Sequence, residues 1–351
     1  MEVRLNWLFF GAGAIGTYIG SSLILHGQKV VFLEKPESAV LLQERGLNLN
    51  IRGQVYRILH PNVFSSIPEA LAFSPFDVAV FALKSFDTQY ALELIRPFAA
   101  NFPPVLCLQN GVENEPILAK VLGQRKVISA TVSSSVRRQA AGDIVLERKR
   151  GVGIASDSPL SSEIVRAFSD ADLNAHLYPS ARAMKWSKML TNLLANASSA
   201  ILAMAPWQIL SHPRLYPMEV KQLREAIAVM HAMHLHPIDL PGVPVRIFAW
   251  LVRYLSPTFS QPLISRIAAK GRGQKMPSFY IDLYSGRGSS EVDYLNGAVV
   301  RFGEHLHIPT PVNRWLNQTL LSLTDGSSPL DKYTHQPDKL LKDLNDNTTG
   351  Y

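Results

Sequence analysis

Lys188, Asn192 and Asn196 recur every four residues in a stretch that is otherwise largely apolar. At about 100° per residue the three fan over only about 80° of a helix surface. Ser199 falls inside the same arc, and Met189, Leu190, Leu193, Leu194, Ala197, Ala200 and Ile201 flank it. Solvated helix faces are usually rich in Glu and Arg. Carboxamides and an ammonium among apolar neighbours need partners instead. The stripe is therefore expected to face a polar ligand, the alternative being a second domain.

A second chemical constellation lies near the start. Leu8-Phe9-Phe10-Gly11-Ala12-Gly13-Ala14-Ile15-Gly16 reads as a buried strand, a tight turn and the first turn of a helix. Gly11 lets the chain reverse, Gly13 lets the backbone approach a ligand, and Gly16 lets helix and strand pack closely. A diphosphate would sit on the helix N-terminus, where free amides and the helix dipole favour negative charge. The spacing is a weak signal alone, but its context strengthens it. A helical stretch from Thr17 to His26 follows, Gly27 is placed to end it, and Val30-Val31-Phe32-Leu33 supplies the next strand. That strand delivers Glu34 and Lys35 about 20 residues after the turn, where a ribose-reading side chain belongs.

Phe76 to Leu83 reads as a buried parallel strand ending at Lys84-Ser85-Phe86-Asp87-Thr88. Ligands of open parallel sheets bind outside the carboxyl ends of the strands. Lys84 is thus either a cofactor contact or a solvated lysine opening a loop. Val105 to Leu108 repeats the pattern and runs into Gln109-Asn110-Gly111, so Asn110 is read as part of a shared cleft rather than as a turn residue only. Leu47 to Ile58 alternates like a hairpin around Gly53. Val127 to Ala130 leads to the hydroxyl-rich loop Thr131 to Ser135, and Ile144–Leu146 with Val152–Ala155 is expected to complete a mixed sheet.

Near Pro179 the character changes to long helical patterns. The expected organisation is α/β: an N-terminal Rossmann-type dinucleotide-binding domain over 1–178, an all-helical C-terminal domain over 179–328 and a polar extension over 329–351. Ala181 to Ala203 reads as one helix, closed off around Pro206. His231 to Met276 reads as irregular, with prolines at 237, 241, 244, 257 and 262. His231, His234 and His236 lack the carboxylate pattern of a metal site, so no metal is expected. Trp250, Arg253 and Tyr254 are read as helix packing rather than an aromatic-basic surface. Ser290 and Asp293 fit a capping box, and Glu291 suits the dipole at the helix start. Beyond Asp325 the tail is polar and is read as loosely held.

A chain of 351 residues exceeds one ordinary core and points to two domains. The single cysteine, Cys107, excludes an internal disulfide, fits a reducing compartment and reads as a packed strand thiol. Leu5 to Leu25 carries no formal charge and could span a bilayer, but its four glycines, Asn6 and Ser21-Ser22 argue against that. Glu2 beside Arg4 argues against a signal peptide. The net charge is +7, with one tight cluster, Arg148-Lys149-Arg150; without a nucleic-acid module this reads as a solvated turn and a field suiting an anionic cofactor or substrate.

Together these motifs resemble the ketopantoate reductase family (2-dehydropantoate 2-reductases, NADPH-dependent) over roughly residues 5 to 325. The marks are the glycine turn 11–16, Lys84-Ser85-Phe86-Asp87-Thr88, Gln109-Asn110-Gly111, Lys188 with Asn192 and Asn196, and Ser278 followed by Glu291-Val292-Asp293-Tyr294-Leu295-Asn296-Gly297. The resemblance implies that Gly11, Ala12, Gly13, Ala14, Ile15, Gly16, Lys84, Asn110 and the backbone near Val136 contact the cofactor. It implies that Lys188 is the catalytic lysine and that Asn192, Asn196 and Ser278 bind substrate. Glu291 matches an acid beside both cofactor and substrate. The implied reaction is reduction of a 2-oxo acid by NADP(H), at a site between the two domains of a cytoplasmic enzyme without nucleic-acid or membrane partners; a homodimer is left open.

The residues suit this chemistry in their own right. Hydride addition to a carbonyl carbon builds negative charge on its oxygen, which an ammonium such as Lys188 can stabilise and protonate. Three departures touch the substrate side: Pro206-Trp207 stands where the family has a further asparagine, the Ser278–Glu291 spacing is one residue longer, and 231–276 carries extra sequence. On the cofactor side Glu34 stands where the family often has arginine. A carboxylate there accepts ribose hydroxyls and repels a 2′-phosphate, favouring NAD(H) unless Lys35 takes the phosphate. Rival readings are a two-domain dehydrogenase for a bulkier oxo acid, given Trp207, and a non-catalytic dinucleotide sensor.

Overall fold

The computed structural model describes residues 4–272, 275–286 and 288–348. The chain divides into two compact units, one comprising residues 1–185 with 240–243 and the other 186–239 with 244–351.

The first unit runs β1 (Asn6–Phe10), α1 (Ala14–Leu25), β2 (Lys29–Leu33), α2 (Pro36–Arg45), β3 (Leu47–Ile51), β4 (Gln54–Ile58) and β5 (Asn62–Phe64). It continues through α3 (Ile67–Phe73), β6 (Val78–Phe81), α4 (Thr88–Ile95), β7 (Val105–Cys107), α5 (Asn114–Leu122) and β8 (Val127–Val132). The hairpin β9 (Ser135–Ala140) and β10 (Asp143–Arg148), then β11 (Val152–Ala155), α6 (Ser161–Asp170) and β12 (Ala175–Tyr178), complete it, with α7 (Ala181–Leu193) beginning at its end.

Eight strands form the main sheet in the order β12-β11-β8-β7-β6-β1-β2-β5. All its pairings are parallel except β11 with β8. Both faces are covered, which is why its central strands are apolar at nearly every position. Trp7, Phe9, Val30 and Phe32 pack into one core, and Leu8, Phe10, Val31 and Phe81 into the other. The single mixed sheet expected from the sequence is instead two sheets. β10 joins β3, β4 and β9 in a separate four-stranded sheet, while β11 stays in the main one. The reason is patterning: β10 buries only Ile144 and Leu146, on one face, and suits a sheet covered on one side.

The second unit is helical: α8 (Ala197–Leu202), α9 (Pro206–Ser211), α10 (Leu215–Ala232), α11 (Val245–Tyr254), α12 (Pro257–Arg272) and α13 (Ser278–Tyr284). A π-helical turn, Asp293–Gly297, leads into α14 (Ala298–His305), α15 (Pro311–Thr324) and α16 (Pro337–Thr348). Among the described residues no helix is long and apolar enough to cross a membrane.

Four segments differ from what the sequence led one to expect. The stretch from Ala181 to Ala203 is broken between Leu193 and Ala197, with Ala195 left-handed at φ 50°. Residues 231–276 are largely helical, because Pro244 caps α11, Pro257 opens α12, and proline is well tolerated at helix starts. Trp250 and Tyr254 are 53% and 61% exposed, so they form surface rather than packing. The tail is docked: Leu340 and Leu344, one turn apart on α16, are buried, and Tyr333 meets Trp315 edge-on at 5.9 Å.

A polar network runs inside this unit from α10. Glu225 accepts the amides of Val312 and Asn313 at 2.9 Å each, together with the Asn313 side chain at 2.7 Å. Burial nevertheless pushes its pKa up to about 7. The folded protein then binds a proton that the unfolded chain releases near pH 4.5. The stability that Glu225 contributes is therefore fullest below that pH and is lost as pH rises through about 7. Chemical denaturation at stepped pH should show this decline, at most about 1.4 kcal/mol per pH unit, and Glu225→Gln should flatten it. An unchanged slope in that variant would rule the assignment out.

Candidate active site

β1 lies between β2 and β6, where the strand order reverses, and ligands of such sheets bind at this switch point. The glycine turn leaves β1 there. Gly11 has φ +94°, and its amide donates to the Leu33 carbonyl at 3.1 Å. A Cβ on Gly16 would stand 1.9 Å from the Gly11 carbonyl oxygen, whereas one on Gly13 would meet nothing within 4 Å. Gly16 thus serves packing and Gly13 keeps a cradle clear. Gly16→Ala should cost the fold, read as loss of the cooperative melt. Gly13→Ala should leave the melt unchanged while weakening dinucleotide binding at least about tenfold, about 1.4 kcal/mol. Equal effects of the two would refute this division.

Glu34, at the end of β2, accepts the Ala12 amide at 2.5 Å. The carboxylate that follows β2 is therefore tied to the turn itself, and Lys35 beside it is exposed at the start of α2. An open cradle at Gly13, amides at the start of α1 and a carboxylate one strand away fit a dinucleotide.

Lys84 and Asn110 follow β6 and β7, and a buried network fixes both backbones. Gln109 Nε2 donates to the Lys84 carbonyl at 3.2 Å and to Thr88 Oγ1 at 2.8 Å. The Asn110 carbonyl accepts Ser85 Oγ at 3.0 Å and Asn114 Nδ2 at 2.6 Å. Val136, half-buried on β9, pairs with Leu146. Sequence reasoning missed the ion pair beneath this edge. Lys185 Nζ lies 2.6 Å from both the Glu115 carboxylate and the Gln109 carbonyl. Burial alone would lower the Lys185 pKa, but Glu115 outweighs it and holds it above the usual value. Burial likewise pushes the Cys107 thiol up, which keeps it protonated and inert.

In the helical unit Lys188 and Asn192 are half-buried on α7, while Asn196 is buried just past the break. Glu219 makes the break stable: its carboxylate accepts the freed Ala195 amide at 2.7 Å and Ser198 Oγ at 2.5 Å. Gln222 Nε2 takes the Leu193 carbonyl at 3.2 Å. Leaving any of these groups unpaired inside the protein would cost about 1–3 kcal/mol. The break turns Asn196 so that its Oδ1 accepts the Phe279 amide at 3.2 Å, joining it to the residue after Ser278. Asn196 and the start of α13 thus meet, although 83 positions separate Asn196 from Phe279.

Glu291 is buried immediately before the π-helical turn. The capping box read for Ser290 and Asp293 is absent. Ser290 Oγ instead accepts the Val292 amide at 3.2 Å, and Asp293 pairs with Arg301 at 3.0 Å. Asn296 within the turn donates to Gln222 and Asn313 at 3.1 and 3.0 Å, which anchors the segment carrying Glu291. Glu219, Gln222 and Glu225 were legible as a polar stripe at a three-residue spacing on a helix that also carries Lys221 and Arg224. The rule that singles out Lys188 and its neighbours would have found them.

Two family models match the chain, ketopantoate reductase PanE/ApbA over residues 7–157 and the ketopantoate reductase PanE/ApbA C-terminal domain over 180–323. The 2-dehydropantoate 2-reductase of Archaeoglobus fulgidus is 26% identical over 328 residues, covering 90% of this chain and 95% of the relative. The crystal structure of a PanE/ApbA family ketopantoate reductase from Ralstonia eutropha JMP134 aligns with TM-score 0.77 and 26% identity, covering 91% and 99% of the two chains. The ternary structure of D-mandelate dehydrogenase with NADH and anilino(oxo)acetate shares the fold at TM-score 0.75 and 20% identity, covering 91% and 98%. With the glycine turn at the sheet's switch point and both family models matched in order, the chain belongs to the ketopantoate reductase family of oxidoreductases.

Proposed function

We propose that the protein reduces a 2-oxo acid to its 2-hydroxy acid with a reduced nicotinamide dinucleotide, ketopantoate to pantoate being the first reaction to try. The observation that carries the reading is the Asn196–Phe279 hydrogen bond, which gathers the Lys188 stripe and Ser278 into one polar group on otherwise apolar helices. When bound, the dinucleotide supplies the hydride. Gly11 to Gly16 and Lys84 would receive its phosphates, Asn110 and the Val136 backbone its nicotinamide half, and Glu34 its ribose.

In this reading the Lys188 ammonium stabilises the negative charge growing on the substrate oxygen and gives it a proton, leaving a neutral amine. Asn196 commits its carbonyl oxygen to Phe279, so its amide nitrogen is the group offered to a ligand. With Asn192 and the Ser278 hydroxyl it makes a donor set for a carboxylate. Glu291 compensates the lysine charge and orders the polar groups around it. Domain boundaries near 178 and 328 follow from the same reading.

Trp207 favours a second substrate class. It opens α9 where the resemblance expects an asparagine, and it is half-exposed. An aryl 2-oxo acid would exploit a ring there. The test is loss of absorbance at the reduced-nicotinamide band with ketopantoate, phenylglyoxylate and short aliphatic 2-oxo acids, each with NADH and NADPH. Saturable turnover of at least one acid is expected, and silence across the panel would defeat the reading.

A further inference from the structure

The basic triplet Arg148-Lys149-Arg150 has no part in that chemistry. It runs from the last residue of β10 into the connection to β11, where Lys149 and Arg150 line a cavity of about 440 Å³ in the first unit. Arg52 lines it as well, with Ser169, Asp172 and Asn174. Three cations thus share one carboxylate, and Asp172 is already paired with Lys149.

Arg150 is held from behind. Its Nη1 donates to the Ser133 carbonyl at 3.2 Å, and its backbone amide and that of Gly151 both donate to Ser134 Oγ at 3.0 Å. The Asn174 side chain donates to the Arg150 carbonyl, which fixes the opposite wall. The Arg150 Nε, however, is buried without a hydrogen-bond acceptor. Native proteins leave few such donors, because each forfeits the desolvation cost of the group. Burial, with Arg148 adding to it, holds the Arg150 pKa below the usual guanidinium value, as expected where positive charge lacks a counterion.

Arg52 adds an independent sign. It sits at φ 53° in the turn between β3 and β4, a conformation that Gly or Asn adopts readily and a long side chain does not. Strain of this kind persists where the surroundings or a function require the residue.

We propose that this cavity is a binding site for a small phosphate-bearing polyanion, gripped by Arg52, Lys149 and Arg150. Guanidinium forks match phosphate oxygens two at a time, and the lysine adds a point charge. Ser169 supplies a hydroxyl at the rim. The site is distinct from the glycine turn, which recognises phosphate through backbone amides and not through a cluster of cationic side chains.

The test is isothermal titration of the full-length protein with pyrophosphate at low ionic strength, with tricarballylate in parallel. The wild-type protein should bind pyrophosphate saturably. The Arg52→Ala/Lys149→Ala double variant should bind at least tenfold more weakly, with its melting temperature in anion-free buffer and its turnover unchanged. Arg150→Lys, which keeps the charge but loses the fork, should weaken binding without unfolding the chain. Absence of saturable binding overturns the proposal. So does undiminished binding by the double variant, which would put the anion elsewhere, such as at the glycine turn. Tighter binding of tricarballylate than of pyrophosphate overturns the assignment to phosphate.

Discussion

Lys188→Ala should lower kcat about 10³-fold, because in the proposed mechanism one side chain supplies both the stabilising charge and the transferred proton. Dinucleotide affinity should stay within about twofold of wild type, about 0.4 kcal/mol, since the glycine turn and Glu34 are built by the other unit. Steady-state kinetics gives the first quantity and titration of bound reduced nicotinamide by fluorescence the second. Lys188→Arg separates the two roles. An arginine keeps the positive charge but does not release a proton near neutral pH. It should recover charge stabilisation only, leaving a rate well below wild type. A Lys188→Ala enzyme within tenfold of wild-type kcat would remove the lysine from the mechanism.

Glu34→Arg should shift the preference between the two dinucleotides by about 10²-fold toward NADPH, measured as the ratio of kcat/KM values. In the proposed binding mode a carboxylate here would accept ribose hydroxyls and oppose a 2′-phosphate, whereas a guanidinium would reverse both effects, and charged hydrogen bonds of this kind are worth about 1.5–3 kcal/mol. The substitution also removes the 2.5 Å bond to the Ala12 amide, so affinity for both dinucleotides should fall somewhat. Glu34→Gln controls for that, because its side-chain oxygen can still accept the amide without the negative charge. It should show an intermediate preference. A wild-type enzyme already favouring NADPH, with Glu34→Arg causing no shift, would show that Lys35 or another cation carries the phosphate.

The buried network gives these experiments a structural background. Glu219 sustains the break that turns Asn196 toward α13, and Glu225 ties α10 to the start of α15. Changes at either position would alter the polar group around Asn196 from a distance, by repacking helices. They are poor choices for probing chemistry directly.

Much of the first unit was legible because its signals are local. Gly11, Gly13 and Gly16 have distinct steric duties over six residues, and strands such as 6–10 and 78–81 announce themselves as continuous apolar runs. Lys84 and Asn110 could be placed because each directly follows such a strand. Less was legible where partners are distant in sequence. Nothing within 181–203 signals that the helix breaks, since alanine and leucine favour continuation; a carboxylate 24 residues away makes the break stable. The tail looked loose because two leucines among polar residues carry little weight until α15 provides a surface for them. Nothing around Lys185 signals its partner, Glu115, which comes from a helix 70 residues earlier.

The sheet's central strands, the glycine turn, the carboxylate that follows β2 and the residue types available for reduction were all readable along the chain, because each depends on steric and charge rules acting over one element. Tertiary structure alone decided the second sheet, the break before Asn196, its bond to the Phe279 amide and the buried Lys185–Glu115 pair. These exist only where desolvated polar groups from remote segments satisfy one another, and spacing along the chain carries no trace of that requirement.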